Sequence, residues 1–178
     1  MPATGAPARR AQPEGRAMAA IKDVQRPDYV YIGSETEVLP RMLDHYRATL
    51  LWKCEGLDEE QLRQRSVMPS ELSLFELLRH LTDAERYWFQ HCVAGRELAG
   101  GFEPGSAPVE DVLAHYLEAC EESRQITAAY PLDQVTFSAV YGQPVSHRFV
   151  LAHLIGEYAR HCGHADLLRE SIDGAVGE

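Results

Sequence analysis

The sequence predicts an all-α protein, a bundle of four long helices with long connections. Three observations carry this. Four segments repeat apolar residues at spacings of three and four, each is bounded by helix start and stop residues, and no segment alternates apolar with polar residues as a half-buried strand would. The chain has 178 residues, 45% apolar and 25% charged, which suits one domain with a single core.

The first long helix is expected over residues 35–55. Ser34 and Glu37 stand at capping-box spacing, and Gly56 supplies the stop. Leu39, Leu43, Tyr46, Leu50 and Cys54 form one apolar stripe, and Pro40 is expected in the first turn. A short helix over residues 58–65 opens on an Asp58–Gln61 pair and ends before Pro69 and Ser70. The second long helix starts at Ser73, supported by Glu76, and runs to residue 93 or 94 before Gly95. Leu74, Leu77, Leu78, Leu81, Ala84, Tyr87 and Trp88 make its buried side. After a glycine-rich loop over residues 95–107, the third begins at Pro108, a favoured first helical position. Val112, Leu113, Tyr116, Cys120, Ser123 and Thr127 share one face, and Tyr130-Pro131 ends it. Residues 132–145 read as irregular, with a turn at Tyr141-Gly142-Gln143-Pro144. The fourth helix follows Ser146 and reaches about Ile172, ahead of Gly174.

Residues 1–20, rich in Ala, Pro, Gly and Arg, read as a disordered tail before a single domain over residues 21–178, and Met18 offers a later start. The tail lacks the apolar run of a secretory signal, and the chain has no stretch of eighteen apolar residues, so the cytoplasm is the expected location and no membrane is expected as a partner. A formal net charge of −10, with no basic patch in the domain, argues against nucleic acid. The tail's Arg9, Arg10 and Arg16 are the one Arg-rich stretch. Cys54, Cys92, Cys120 and Cys162 are far apart, form no C-x-x-C pair, and read as reduced core residues. Two-fold pairing into a homodimer is the expected assembly.

Four of the eight histidines, His147, His153, His161 and His164, lie in or at the start of the fourth helix. With His153 at zero, Glu157, His161 and His164 fall at about 40°, 80° and 20° around a helix of 3.6 residues per turn. Four metal-capable side chains therefore share one face, and Glu157 and His161, one turn apart, can reach one ion. A further ligand must come from another helix. His80, set among Leu77, Leu78 and Leu81, is the best candidate, and His45 is a weaker one. His91 and His115 read as surface positions. The same face could also be an ordinary polar surface, and a buried histidine is often satisfied without a metal. Spacing alone does not choose between these readings.

Two stretches carry a resemblance that does choose. Residues 78–89 (LRHLTDAERYWF) and 152–170 (AHLIGEYARHCGHADLLRE) resemble the second-helix and last-helix motifs of the DinB-like superfamily, in its mini-circle protein branch. The likeness extends over about residues 35–174. It implies three ligands at one end of a bundle. Many members use three histidines. Here Glu157 stands in the middle position, similar to the mycothiol-dependent maleylpyruvate isomerases, where His, Glu and His bind zinc. The resemblance thus gives the ligand roles to His80, Glu157 and His161, and leaves His153 and His164 beside them. A carboxylate in the set lowers its charge by one and admits Fe(II) or Ni(II) as well as zinc.

The resemblance also implies a low-molecular-weight thiol, mycothiol or a similar one, activated at an open metal position and transferred to a small-molecule substrate. Arg160 and Arg169 could bind the thiol's carboxylate or sugar groups, or be solvated helix charges. No residue is assigned a catalytic role beyond the metal. Nucleophile-elbow, P-loop and dinucleotide motifs are missing, and Cys162 points about 100° away from adjacent His161, so they are no nucleophile–base pair. The alternatives are a metal-assisted hydrolase or isomerase without thiol, and a non-enzymatic metal-binding stress protein.

Overall fold

A computed structural model describes residues 21–22, 24–98 and 107–177. The expected tail, residues 1–20, lies outside the described residues, as does part of the glycine-rich loop, residues 99–106.

Start and stop residues govern the helix bounds. Helix α1 spans Glu35–Cys54, where the Ser34 N–H and hydroxyl both donate to Glu37 Oε2 at 2.9 and 2.7 Å. Gly56 leaves the helix at φ +78°, a conformation that favours glycine. Pro40 sits in the second turn, not the first, at the loss of one backbone hydrogen bond. Helix α2 spans Glu59–Arg63, with Asp58 and Gln61 exchanging backbone-to-side-chain bonds at 2.9 and 3.0 Å.

Helix α3, Leu74–Glu85, opens on Ser73, whose hydroxyl accepts from the Glu76 N–H at 3.2 Å. Its continuation differs from expectation: Arg86–Val93 is π-helical. The wider turn shifts the facing of every later side chain, which a 3.6-residue period cannot foresee. Helix α4 spans Val109–Ala129, with Pro108 just outside it as N-cap, and helix α5 spans His147–Asp173 between a Ser146 cap and Gly174 at φ +79°.

The stretch read as irregular holds a hairpin. Strand β1, Val135–Ser138, pairs antiparallel with β2, Gln143–Ser146, in the register Val135↔Ser146 to Ser138↔Gln143. The turn therefore falls on residues 139–142, earlier than expected, and Pro144 lies within β2 opposite Phe137. Each strand is an edge, so proline is tolerated on an unpaired side.

The four long helices share one core. α1 packs along α5, α3 along α4, and α3 also meets α5. Leu43, Leu50, Leu77, Leu78, Leu81, Leu113, Tyr116, Leu151, Leu154 and Tyr158 are essentially fully buried. Ile126, not Thr127, fills the last core turn of α4. All four cysteines are buried and unpaired. Through this core runs a polar network that periodicity did not indicate. Arg47 of α1 donates from Nε and Nη2 to the two oxygens of Glu85 of α3, at 2.8 and 2.6 Å. The Tyr158 hydroxyl of α5 donates to Glu85 Oε1 at 2.8 Å, and the Tyr116 hydroxyl of α4 donates to the Arg47 carbonyl at 3.3 Å. Among the described residues no helix is long and apolar enough to cross a membrane.

Candidate metal centre

α3 and α5 run antiparallel, so early positions of α3 meet the middle of α5. His80 comes from the second turn of α3, and Glu157 and His161 from consecutive turns of α5. One donor atom from each lies within 4.8 Å of the other two. Glu157 Oε2 is 3.8 Å from His80 Nε2 and 3.6 Å from His161 Nε2, and the two imidazoles meet edge to face at 4.9 Å. Two ligand atoms on a tetrahedral zinc are roughly 3.4 Å apart, from bonds of about 2.1 Å, so small side-chain rotations suffice to bring all three onto one ion. Two imidazoles and a carboxylate form a borderline donor set that suits zinc, Fe(II) or Ni(II).

The environment differs from the sequence reading in one respect. His80 is not sunk among the leucines: it is 49% exposed, while Leu77, Leu78 and Leu81 are buried. Glu157 and His161 are the sheltered members, at 17% and 13%.

Neighbouring side chains orient the donors. Arg160 donates to Glu157 Oε1 at 3.0 Å, which leaves Oε2 facing both imidazoles. His164 Nδ1 and His161 Nδ1 are 3.2 Å apart, so one carries the proton that the other accepts, and His161 Nε2 is left toward the donor set. Burial, reinforced by His80, pushes the His161 pKa down to about 4, so this imidazole is neutral at pH 7, as a metal ligand must be.

The other sequence candidates are dispersed. His153 is not at the donor set but one turn away, in a cluster of rings. Its plane is parallel to Phe149 at 5.7 Å, the Trp88 ring is 4.7 Å away, and Tyr141 Oη is 3.5 Å from its Nδ1. Arg160 reaches the set, but Arg169 does not. Arg169 donates to the Lys53 and Glu55 carbonyls at 2.9 and 2.7 Å and pairs with Asp173, closing the C-terminal end of α1. His45 stacks on Tyr29 at 4.0 Å and bonds to the Pro27 carbonyl. His147 is buried under the hairpin, with Nδ1 donating to the Tyr130 carbonyl at 3.2 Å.

Sequence reasoning missed the ring cluster, though half of it was within reach. Phe149 lies four residues before His153, about 40° beyond the edge of the arc that His153, Glu157 and His161 share, so it flanks the same helix face. Trp88 depends on the π-helical turn and Tyr141 on the hairpin, and neither was foreseen. The chain's own thiols are unsuited to nucleophilic work: burial pushes Cys54, Cys120 and Cys162 up to about 12.

The fold and the donor set together define a helical domain of the DinB-like class with a candidate His–Glu–His site between two helices. The family model described as mycothiol-S-transferase (MST) matches residues 38–174, most of the chain, and the chain belongs to that family of transferase-type enzymes. Comparison with curated proteins gives no match.

Proposed function

We propose that this protein is a metal-dependent mycothiol S-transferase in which His80, Glu157 and His161 hold one divalent ion, zinc first, with Fe(II) or Ni(II) as alternatives. The observation that carries the reading is the convergence of one donor atom from each residue within 4.8 Å, in a chain of the mycothiol-S-transferase family. Three protein ligands leave an open position, and the bound ion would supply the positive charge that keeps a cofactor thiol deprotonated near neutral pH.

The chain's own residues do the rest. Glu157 contributes the one negative charge of the set, and Arg160 holds it by Oε1. A proton on His161 Nδ1, donated to His164 Nδ1, would leave His161 Nε2 with the lone pair an ion needs. The exposure of His80 gives the site an open side from which a thiol and a small-molecule substrate can enter. Pairing of two chains and a cytoplasmic location belong to the same reading.

The test is thermal melting with zinc alone and with zinc plus mycothiol, beside thiol consumption with monochlorobimane. Mycothiol should raise the midpoint only when zinc is present, and turnover should exceed the uncatalysed rate. His80→Ala and His161→Ala should each lose the stoichiometric metal of the purified protein. A full metal equivalent in both variants would sink the ligand assignment. Zinc-loaded protein with neither turnover nor mycothiol stabilisation would sink the transferase reading, leaving a thiol-free hydrolase or a binding protein.

A further inference from the structure

The ring cluster beside the donor set is built from three parts of the chain. Trp88 comes from the π-helical segment, Tyr141 from the hairpin turn, and Phe149 and His153 from α5. Trp88 lies 5.8 Å from Tyr141 and 6.3 Å from Phe149, and Tyr141 meets Phe149 edge-on at 5.7 Å. Trp88 is buried, but Tyr141 is 44% and Phe149 40% exposed, so the cluster forms a wall with an open outer rim. His153 lies one turn from Glu157, about 6 Å along α5, so the wall and the donor set are continuous on one helix face. All four members are rings, and none is an Asp, Glu, Lys or Arg.

We propose that this wall seats the electrophilic co-substrate, and that the class it favours is an uncharged planar aromatic or conjugated molecule whose reacting carbon projects toward Glu157 and His161. Offset and edge-to-face packing of a flat ring on such a wall is favourable beyond simple burial, and a short aliphatic electrophile gains none of it. The two adjoin: a ring resting against His153, at the inner end of the wall, turns its reacting edge carbon toward the donor set one helical turn on. A second copy of this chain could also cover exposed rings, but a wall that runs into a donor set suits a molecule that must meet both. The inference rests on the transferase reading for its chemistry. With an aryl chloride, the thiolate sulfur bonds to the ring carbon, the C–Cl bond breaks, and chloride leaves with the electron pair. The thiol proton goes to solvent.

Binding and turnover test it separately. Trp52, on α1 beside Lys53 and away from the wall, is one of two tryptophans, so a Trp52→Phe background leaves Trp88 as the sole reporter. Titrated with unreactive 1,3-dinitrobenzene, Trp88 fluorescence should quench saturably, whereas nitromethane should quench linearly. Tyr141→Ala and Phe149→Ala should each weaken the saturable phase at least fivefold. In the metal-loaded enzyme with mycothiol, Phe149→Ala should lower kcat/KM for 1-chloro-2,4-dinitrobenzene about tenfold, mainly through KM, and leave iodoacetamide unchanged. Linear quenching by both compounds, an unchanged affinity in both variants, or equal losses for the two electrophiles would overturn the proposal. So would variants that abolish self-association in sedimentation while the wild type binds no ring. If neither electrophile turns over but the ring still binds saturably at Tyr141 and Phe149, the transferase reading fails and the ring site stands.

Discussion

Two glutamates on facing helices meet opposite fates. Glu85 is fully buried, and both its oxygens are bonded within the protein, to Arg47 and Tyr158. Glu157, the residue before Tyr158, has one oxygen bonded to Arg160 and the other 3.6–3.8 Å from two imidazole nitrogens. The first carboxylate has its charge answered by a cation locked in the core. The second faces groups that are, at least for His161, neutral at pH 7. A charge answered internally fixes how helices sit on one another. A charge left partly unanswered beside two lone pairs is equipped for an ion from outside.

The comparison breaks most visibly at Glu85. Glu85→Ala leaves the Arg47 guanidinium buried without its partner, and a loss of about 3–5 kcal/mol of stability is expected in urea titration. Glu157→Gln, measured without metal, should change stability by less than about 1 kcal/mol, because its one hydrogen-bonded ion-pair partner, Arg160, is exposed. Equal losses in the two variants would erase the distinction drawn here.

Zinc sharpens the contrast. Excess zinc at about 100 times its dissociation constant should stabilise the wild type by about 2.7 kcal/mol. Glu157→Gln should forfeit much of that gain. An Arg47→Lys variant that still folds should lose stability yet keep the zinc increment, since Arg47 touches none of the three donors.

The smallest expected effect is a pH dependence. Burial lowers the His147 pKa, whereas the unfolded chain titrates near its ordinary value of about 6.5. The unfolded state therefore binds the proton first, so the contribution is complete above that pH and is lost as pH falls through the folded pKa. His147→Asn keeps a donor for the Tyr130 carbonyl and removes the titration. Its stability should decline less between pH 6.5 and 5 than the wild type's, by at most about 1.4 kcal/mol per pH unit. Parallel declines would show that His147 does not titrate differently in the two states. His153 and His161 remain in both proteins and cancel in the comparison.

Helix count and bounds were legible in the sequence because caps act locally. Ser34, Asp58, Ser73, Ser146, Gly56 and Gly174 do at the helix ends what residues of their type do elsewhere. The pairing of Glu157 with His161 was legible because one helix fixes their separation. Three things were not. The π-helical turn depends on tertiary packing, so the place of buried Trp88 beside His153 was not foreseen. The hairpin carries Pro144 and only four residues per strand, too short for an alternation to stand out. The Arg47–Glu85 pair joins two helices whose relative rotation no single-helix period specifies. The likeness to a known family supplied what spacing could not, a preference for a metal-binding reading of that helix face over an ordinary polar surface.

The division of the donor set between α3 and α5 also bears on when it comes into being. During synthesis α3 leaves the ribosome first, and α4 and the hairpin follow before Glu157 and His161 appear. Until α5 docks, His80 is a solitary imidazole with no claim on an ion beyond that of any surface histidine. Any ion held by all three residues together would be bound only once α5 has docked on α3. Chaperones and ribosome-associated factors that meet the early helices meet a chain in which the three donors have not yet come together.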